Sequence, residues 1–291
     1  MKVALITNYN ISEKSAAAMK VAEHLKKYNC RIVVPLNYRE RIERMHKHRA
    51  GLIFDTPANI YASADLILVL GGDGSIMDAA RNAAARGTPI LGINMGRLGY
   101  LAELEMNELD LLNPVMEGKY RLDQRTMLNA EVISATGKQT QTAFALNDAV
   151  ISNGSISRIV DLELREGGVP INTYRADGLI IATPTGSTAY SMSAGGPIAD
   201  PRISCFCVTP ICPHMSPARS ILFPDTSVIE VKHVCRREKA LYLTLDGRIN
   251  FELMRNDVVR ITKSDLTTSI VRVKERSFYE KIKQKNSERG F

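Results

Sequence analysis

A glycine-rich segment with an embedded carboxylate is the part of the sequence that most directly suggests chemistry. It follows an apolar run at residues 66–70 and precedes an alanine-rich stretch that predicts a helix from about Ile76. Glycines at the carboxyl end of a parallel strand let backbone N–H groups approach a phosphate, and the N-terminus of the next helix attracts an anion. The predicted phosphate loop consists of Gly71, Gly72, Asp73, Gly74 and Ser75.

Asp73 is the unexpected member of this loop, because a carboxylate repels a phosphate. It costs electrostatic free energy unless it acts, for example by accepting the proton of a hydroxyl nucleophile or by binding Mg²⁺. The alternative is a tight turn in which Ser75 only caps the helix. The loop lacks the Gly-Lys-Ser/Thr of a Walker A motif and the spacing of Gly-x-Gly-x-x-Gly, so both of those nucleotide-binding motifs are disfavoured.

A second segment, residues 183–197, is rich in hydroxyl groups. It contains six Ser or Thr side chains and three glycines, a composition that suits the lining of a polar ligand better than a core strand. Tyr190 could stack on a base. A surface loop with a short helical turn is the alternative.

Other polar residues are candidates for contacts with a ligand. Asn147 and Asp148 interrupt an apolar run, and a ligand's hydroxyls or an Asx-type turn could supply the partners that buried polar groups need. Three arginines offer forked donors that suit either a phosphate or carboxylates within the fold. These are Arg158, Arg175 and Arg248.

The elements that must position these residues fall into two groups. Up to about residue 122, apolar strands alternate with helices, which indicates an α/β domain with a mostly parallel sheet. From residue 125, short runs rich in Val, Ile and Thr between turn residues predict a β-rich, mainly antiparallel domain. A helix at residues 277–285 is expected to pack back on the first domain. The predicted domains are residues 1–122 with about 268–291, and residues 123–267.

Composition excludes several classes of protein. With 45% hydrophobic and 24% charged residues among 291, the chain is typical of a folded protein and not of a disordered one. The apolar runs are far shorter than the roughly 20 residues of a membrane span, and no signal peptide opens the sequence, so we expect a cytoplasmic protein without a membrane partner.

The net charge of +7 is concentrated near the end of the sequence. Residues 272–291 contain seven Lys or Arg and three Glu. This pattern predicts a solvated terminal helix with a frayed end, and not a surface that binds nucleic acid.

The five cysteines, an odd number, predict reduced thiols. Cys205 and Cys207 would share one face of a strand. A buried, inert pair is favoured over a metal site with Cys212, because a free cysteine behaves mostly as a small hydrophobic residue.

The glycine-aspartate loop, the Asn147-Asp148 pair, residues 175–178 and the hydroxyl-rich segment, in this order, resemble the NAD kinases. Residues 94–101 and 246–248 share the resemblance. It implies transfer of the γ-phosphoryl group of ATP, with Mg²⁺, to the 2′-hydroxyl of the adenosine ribose of NAD, which gives NADP. It also implies a nucleotide- and phosphate-binding N-terminal domain, a dinucleotide-binding C-terminal domain with the site between them, and a homodimer or homotetramer.

The resemblance further implies roles for individual residues. Asp73 would be the general base on the 2′-hydroxyl, with Gly74 beside it at the phosphates. Asn147 and Asp148 would hold ribose or adenine, and Asp177 would bind an amide of nicotinamide or adenine across a subunit contact. The dinucleotide would also contact Thr188, Ala189, Tyr190, Ser191, Met192 and Ser193. Near its phosphates or at the rim would lie Arg158, Arg175 and Arg248. No protein side chain is assigned as a metal ligand.

Two alternative functions share these motifs. A lipid or diacylglycerol-type kinase would use the same glycine-aspartate loop on another acceptor, but the hydroxyl-rich segment favours a polar one. A non-catalytic NADP(H) sensor would keep the binding residues without turnover, and Asp73 in the loop disfavours it.

Overall fold

The computed structural model of the chain describes residues 1–46, 51–96, 99–154, 159–214, 219–235 and 241–288. Its helices are α1 (Ser12–Leu25), α2 (Arg39–Met45), α3 (Pro57–Ser63), α4 (Asp73–Ala83), α5 (Leu112–Met116), α6 (Tyr190–Ser193) and α7 (Phe278–Glu288). Its strands are β1 (Lys2–Ile6), β2 (Arg31–Pro35), β3 (Ile53–Asp55), β4 (Leu66–Gly71), β5 (Ile90–Asn94), β6 (Leu104–Glu105), β7 (Arg121–Ile133), β8 (Gln139–Ala145), β9 (Asp148–Asn153), β10 (Val160–Glu166), β11 (Val169–Ala176), β12 (Gly178–Ala182), β13 (Cys205–Ile211), β14 (Ile221–Pro224), β15 (Ile229–His233), β16 (Leu241–Leu245), β17 (Ile249–Leu253) and β18 (Val258–Arg272). Within these ranges, no helix is long and apolar enough to cross a membrane.

The chain forms two compact units. The first comprises Met1–Gln124 and Thr267–Phe291, and the second comprises Arg125–Leu266. Two strands contribute residues to both units, because β7 begins in the first and β18 ends there.

A parallel sheet forms the centre of the first unit. Its strands lie in the order β18-β5-β4-β1-β2-β3, each parallel to its neighbours, and β6 pairs with β5. All six residues of β4 are buried, as expected for a strand covered on both faces. Helix α1 packs a face of small and aliphatic residues into the same core, including Ala18, Val21 and Leu25. This arrangement confirms the predicted α/β fold.

Helix α4 begins at Asp73 and not at about Ile76 as the apolar spacing predicts. Gly72 is the N-cap residue, with an extended backbone at φ −95° and ψ −174°. Its carbonyl oxygen accepts from the N–H groups of Ser75, at 3.0 Å, and Ile76, at 3.3 Å. The polar first turn carries no apolar periodicity, which is why the sequence pattern begins one turn late.

The second unit is built from antiparallel strands, as predicted. One sheet has the order β14-β13-β12-β9-β16-β17. The strands β11, β10, β15 and β18 pair in succession, and β7 and β8 form a hairpin. The core is a continuous apolar cluster to which Leu179, Phe206 and Leu243 contribute. The apolar run that the Asn147-Asp148 pair interrupts is divided into β8 and β9 at Leu146 and Asn147.

Helix α7 packs on the first unit, as predicted, but it is more than a solvated end. Nζ of Lys281 lies 3.0 Å from the carbonyl oxygen of Ala102, and Nζ of Lys285 lies 3.8 Å from the centre of the Tyr100 ring. The rings of Phe278 and Tyr100 are 6.2 Å apart. Part of the positive charge near the end of the sequence therefore has a packing role.

Candidate functional site

The glycine-rich loop lies at the carboxyl end of β4, beside the end of β5. Gly71 and Asn94 are partners in the register of these strands, and the carbonyl oxygen of Gly71 accepts from the N–H of Met95 at 3.3 Å. Nδ2 of the buried Asn94 donates to the carbonyl oxygen of Gly96 at 2.9 Å. The carboxyl ends of two adjacent parallel strands thus form one edge, where ligands of open α/β sheets usually bind.

Two glycines of this loop have no steric reason within the described chain to be glycine. A Cβ added at Gly72 or Gly74 would meet no atom within 4 Å, whereas one at Gly71 would lie 2.5 Å from Oγ of Ser75. Packing therefore explains Gly71 alone. A ligand that approaches the backbone closely would explain Gly72 and Gly74, since only glycine leaves the N–H groups uncovered.

Asp73 is half-buried, and two backbone groups orient its carboxylate. Its Oδ2 accepts from the N–H of Tyr100 at 2.8 Å, and its Oδ1 accepts from the N–H of Leu101 at 3.0 Å. A Cβ at Gly99 would overlap Oδ1, so glycine is needed there for this approach. A carboxylate offers about four acceptor positions, so Asp73 in this orientation can still accept a proton from a third donor.

In the second unit, Leu146 and Asn147 form a buried turn between β8 and β9, and the buried Asp148 begins β9. The carbonyl oxygen of Asn147 accepts from the N–H of Thr183 at 2.8 Å, and Oγ1 of Thr183 donates to the carbonyl oxygen of Leu146 at 2.6 Å. The turn is therefore tied to the first residue of the hydroxyl-rich segment, and two features that lie far apart in sequence share one place.

Asp246 holds the other side of this turn, a role that its place in the motif at residues 246–248 does not predict. Its carboxylate accepts from the N–H groups of Leu146, Asn147 and Asp148, at 3.0, 2.8 and 3.3 Å. Its own N–H donates to the carbonyl oxygen of Asp148 at 3.1 Å. The Asp-Gly pair indicates only a hairpin turn, because the groups that its carboxylate binds lie about a hundred residues earlier.

The pKa of Asp148 is raised to about 7. Burial of the carboxyl group is the main cause, and the negative charge of Asp246 adds to it. Near neutral pH a substantial share of Asp148 is protonated, so this side chain can donate as well as accept a hydrogen bond.

The hydroxyl-rich segment has an inner and an outer side. Oγ of Ser187 donates to the carbonyl oxygen of Pro184 at 2.7 Å and accepts from the N–H of Ala199 at 3.0 Å. Oγ of Ser191 lies 3.2 Å from Oγ1 of Thr209. These buried hydroxyls hold the segment in shape. The outer residues are the exposed Tyr190 and Ser193 and the half-buried Thr188, Ala189 and Met192.

Besides Asp73 and Asp148, four charged residues are predicted for the site, of which three are exposed and one lies outside the described residues. Arg175 ends β11 with its neighbour Ala176, Asp177 precedes β12, and Arg248 lies in the turn between β16 and β17. Nothing is described for Arg158. A groove of about 530 Å³ adjoins the hydroxyl-rich segment. It is lined by Ala194, Gly195, Pro197, Pro210, Arg219 and Leu222.

Cys205 and Cys207 are buried side by side on β13, as predicted, and Cys212 is exposed. Hydrogen bonding between the two thiols and burial raise the pKa of Cys207, which keeps its thiol protonated and unreactive. In the part of the chain that the structure describes, no three His, Cys, Asp or Glu side chains are grouped so that they could hold a metal ion.

Comparison with known families gives two matches that together span most of the chain. Residues 3–120 match the model of the ATP-NAD kinase N-terminal domain, and residues 146–273 match that of the ATP-NAD kinase C-terminal domain. The first match includes the glycine-aspartate loop. The second includes the Asn147 turn and the hydroxyl-rich segment.

Curated proteins named NAD kinase are similar to this chain over most of their length. The NAD kinase of Syntrophotalea carbinolica is 42% identical over 228 residues, which are 78% of this chain and 79% of that one. The NAD kinase of Geobacter sulfurreducens is 39% identical over 240 residues, 82% of this chain and 84% of that one. That of Citrifermentans bemidjiense is 36% identical over 269 residues, 92% and 93% of the two chains.

Solved structures share the fold. Yeast NADH kinase in complex with NADH superimposes with a TM-score of 0.88 at 24% identity, over 98% of this chain and 86% of that one. An NAD kinase from Archaeoglobus fulgidus in complex with ATP gives a TM-score of 0.74 at 23% identity, over 98% of each chain.

Proposed function

The chain belongs to the NAD kinase family, and from this premise we propose how it transfers the γ-phosphoryl group of ATP to the 2′-hydroxyl of the adenosine ribose of NAD, with NADP as product. Membership of this family rules against the alternative hypothesis of a lipid kinase. The observation that carries the proposed mechanism is Asp73, a carboxylate oriented by two backbone N–H groups beside glycines that no packing requires.

We propose that Asp73 is the general base of this reaction. It would accept the proton of the 2′-hydroxyl as that oxygen attacks the γ-phosphorus, while the bond from phosphorus to the β-γ bridging oxygen breaks and ADP leaves. Phosphoryl transfer needs mainly positioning and charge neutralisation. A fixed carboxylate at the acceptor hydroxyl would supply the positioning. No covalent intermediate on the protein is required.

The loop itself would hold the phosphates of ATP. Gly72 and Gly74 would offer backbone N–H groups, Gly71 and Ser75 would complete the loop around the phosphates, and the N-terminus of α4 would add its partial positive charge. Mg²⁺ would neutralise charge on the phosphates and would be held mainly by them, as is usual for this ion. A Cβ at Gly72 or Gly74 would meet no described atom within 4 Å, so this part of the loop leaves space for phosphates and their ion.

The second unit would bind the dinucleotide. Asn147 and Asp148 would hold ribose or adenine from their buried turn, and Asp177 would bind an amide of the dinucleotide across a subunit contact. Tyr190, with 47% of its surface exposed, would stack on a base. Ser191 is fully buried, and we propose that it supports the contacts made by Thr188, Ala189, Met192 and Ser193. Arg158, Arg175 and Arg248 would lie near the phosphates or the rim.

We also propose that the protein acts in the cytoplasm as a homodimer or homotetramer. The role proposed for Asp177 needs a second subunit, and this exposed side chain is available to one. Light scattering after gel filtration tests the oligomeric state. A monomer at assay concentration would contradict it.

The experiment that tests the function is NADP formation from NAD, ATP and Mg²⁺, coupled to an NADP-specific dehydrogenase. Asp73→Asn should keep the fold and NAD binding but lower kcat by at least about 100-fold, the usual scale of general-base catalysis. Thermal denaturation and NAD binding by calorimetry show whether the variant remains folded and competent to bind.

Each outcome separates the remaining alternatives. Product that requires both ATP and Asp73 supports the mechanism, and normal turnover in a folded Asp73→Asn protein removes the general-base assignment. Product with polyphosphate but not with ATP would identify polyphosphate, and not ATP, as the phosphoryl donor. If neither donor gives product with NAD or NADH while NADP still raises the melting temperature, the protein is a sensor and not a kinase.

A further inference from the structure

Residues 99–103, which we call the Tyr100 segment, connect Asp73 to the C-terminal part of the first unit. The N–H groups of Tyr100 and Leu101 donate to the Asp73 carboxylate. The carbonyl oxygens of these same two residues accept from cationic side chains that lie about 170 residues later. Nζ of Lys281 is 3.4 Å from the carbonyl oxygen of Tyr100, and Nη1 of Arg272 is 3.0 Å from that of Leu101.

One peptide group links Lys281 directly to Asp73. The carbonyl oxygen of Tyr100 and the N–H of Leu101 belong to the same peptide bond, so the ammonium group contacts one end of it and the carboxylate the other. A cation at a carbonyl oxygen polarises the peptide group and strengthens the hydrogen bond that its N–H donates. The contact therefore affects both where Asp73 is held and how firmly.

Glu103 fixes these cations at the end of the segment. Its buried carboxylate accepts from the N–H groups of Val273 and Lys274, at 3.0 and 2.8 Å. It also pairs with Arg272, at 3.0 Å, and with Lys281, at 3.6 Å. A buried charge with this many partners has little freedom to move, so strand β18 and helix α7 are anchored to the Tyr100 segment.

Helix α7 also contacts the ring of Tyr100. Lys285 lies over its face at 3.8 Å from the centre, and the Phe278 ring is 6.2 Å away at an interplanar angle of 43°. Such cation–π and aromatic contacts orient a ring more than bulk apolar packing does. Backbone and side chain of Tyr100 are thus both set by helix α7.

We propose that Arg272, Phe278, Lys281 and Lys285, which we call the C-terminal clamp, form a positioning device for the catalytic carboxylate, with Lys281 as its principal positioning residue. The proposal rests on the proposed function of Asp73. Cations that only stabilised the fold would have no need to contact the two residues whose N–H groups bind Asp73. The clamp acts through the Tyr100 segment.

The test compares Lys281→Met with Lys283→Met in the full chain. Both lysines lie on α7, but Lys283 is exposed, so the two variants share the substitution and the helix and differ in the contact. We expect Lys281→Met to lower kcat about tenfold relative to Lys283→Met, with the KM values for NAD and ATP changed less than threefold. If Lys281→Met does not fold, Lys285→Met replaces it with the same expected direction.

Loss of kcat smaller than threefold, an equal loss in Lys283→Met, or an effect confined to KM overturns the proposal. Amide hydrogen exchange of Tyr100 and Leu101 gives a readout that needs no activity. We expect exchange at Leu101 to be at least threefold faster in Lys281→Met than in Lys283→Met, and equal rates count against the clamp. If the wild-type protein forms no NADP, the proposed function fails and the exchange result alone decides the clamp.

Discussion

Gly74 lies in the first turn of α4, where the fold and the proposed ligand place opposite demands on one residue. Glycine inside a helix costs roughly 0.5–1 kcal/mol relative to alanine. An alanine side chain at this position would meet no described atom within 4 Å. The fold would therefore be more stable with alanine, while a bound phosphate would lose its close approach to the backbone.

We expect Gly74→Ala to raise the free energy of unfolding by about 0.5–1 kcal/mol and to raise the KM for ATP at least tenfold. Urea denaturation and steady-state kinetics measure the two effects. A variant that is less stable, or that is more stable with an unchanged KM for ATP, would show that the glycine serves the fold and not the nucleotide.

The raised pKa of Asp148 predicts how the stability of the protein depends on pH. Its pKa is raised from 3.8 to about 7, so the folded protein retains a proton that the unfolded chain has lost. Stability therefore falls as pH rises from about 4 to about 7, and the loss is complete above that value. Asp148→Asn cannot ionise and should lack this component of the pH dependence.

The measurement is the melting temperature of both proteins from pH 5 to pH 8. We expect Asp148→Asn to gain stability relative to the wild type as pH rises, with the change centred below pH 7. Parallel curves would contradict the raised pKa. The control is Asp265→Asn, which removes an exposed carboxyl group in the same unit. Its melting temperature should depend on pH as that of the wild type does.

At the level of elements, the N–H groups at the Asn147 turn depend on a single carboxylate. Asp246→Ala would leave the N–H groups of Leu146, Asn147 and Asp148 without their acceptor, and each buried donor left unsatisfied costs about 1–3 kcal/mol. Water that enters the space would recover part of this. We expect a loss of at least about 2 kcal/mol in the free energy of unfolding, together with weaker NAD binding.

Asp246→Asn should lose less, because its amide oxygen can still accept from these groups. Chemical denaturation of both variants and of Asp265→Ala, which should stay within about 0.5 kcal/mol of the wild type, tests the assignment. Equal losses of unfolding free energy in Asp246→Ala and Asp265→Ala would mean that the Asp246 carboxylate does not stabilise the turn.

The elements that the sequence predicts well are those with a continuous pattern. Strand β4 extends the predicted run at residues 66–70 by one residue, because wholly apolar runs occur where both faces of a sheet are covered. The short elements β3, α3 and β14 carry too few apolar positions for any periodicity, whereas β17 alternates apolar and polar residues and could have been predicted. Thr56 accepts from the N–H of Asn59 and Pro57 follows it, a cap that could have revealed α3.

The candidate site is predictable only in part, for a physical reason. The glycine loop and Asp73 are local in sequence, so their chemistry is visible there. The contacts of Asp73 with Tyr100 and of Asp246 with Asn147 join residues 27 and 99 positions apart, and no local pattern encodes such approaches. The hydroxyl-rich segment shows the same limit, since composition does not distinguish Ser187, which holds the loop, from the exposed Ser193.

For the whole molecule, the first unit depends on residues 267–272. Ile270 pairs with Ile90 of β5, and both Ile270 and Val271 are fully buried. Without this strand β5 would lose its partner at Ile90, since β6 pairs with Ile93 and Asn94, and the buried Glu103 would lose Arg272. Breaking a buried ion pair by removal of one partner costs about 3–5 kcal/mol.

We therefore expect a fragment of residues 1–124 to be unstable and a fusion of residues 1–124 with 267–288 to fold. The fusion needs only a short linker, since Oγ1 of Thr267 lies 3.3 Å from Oε1 of Gln124. Thermal melts followed by circular dichroism compare the two. A cooperative transition at the same temperature in both proteins would show that β18 adds nothing to the first unit.

This arrangement of β18 also bears on how the protein is made. Domains usually fold in the order in which the ribosome delivers them, at about 5–20 residues per second. Here the second unit, Arg125–Leu266, is one continuous stretch, and it leaves the ribosome before the sheet of the first unit can be completed. The pairing position of β18 on β5, at Ile90, therefore stays open on the nascent chain for as long as the second unit is being translated, and during that interval the growing polypeptide is most open to chaperones and most prone to aggregate.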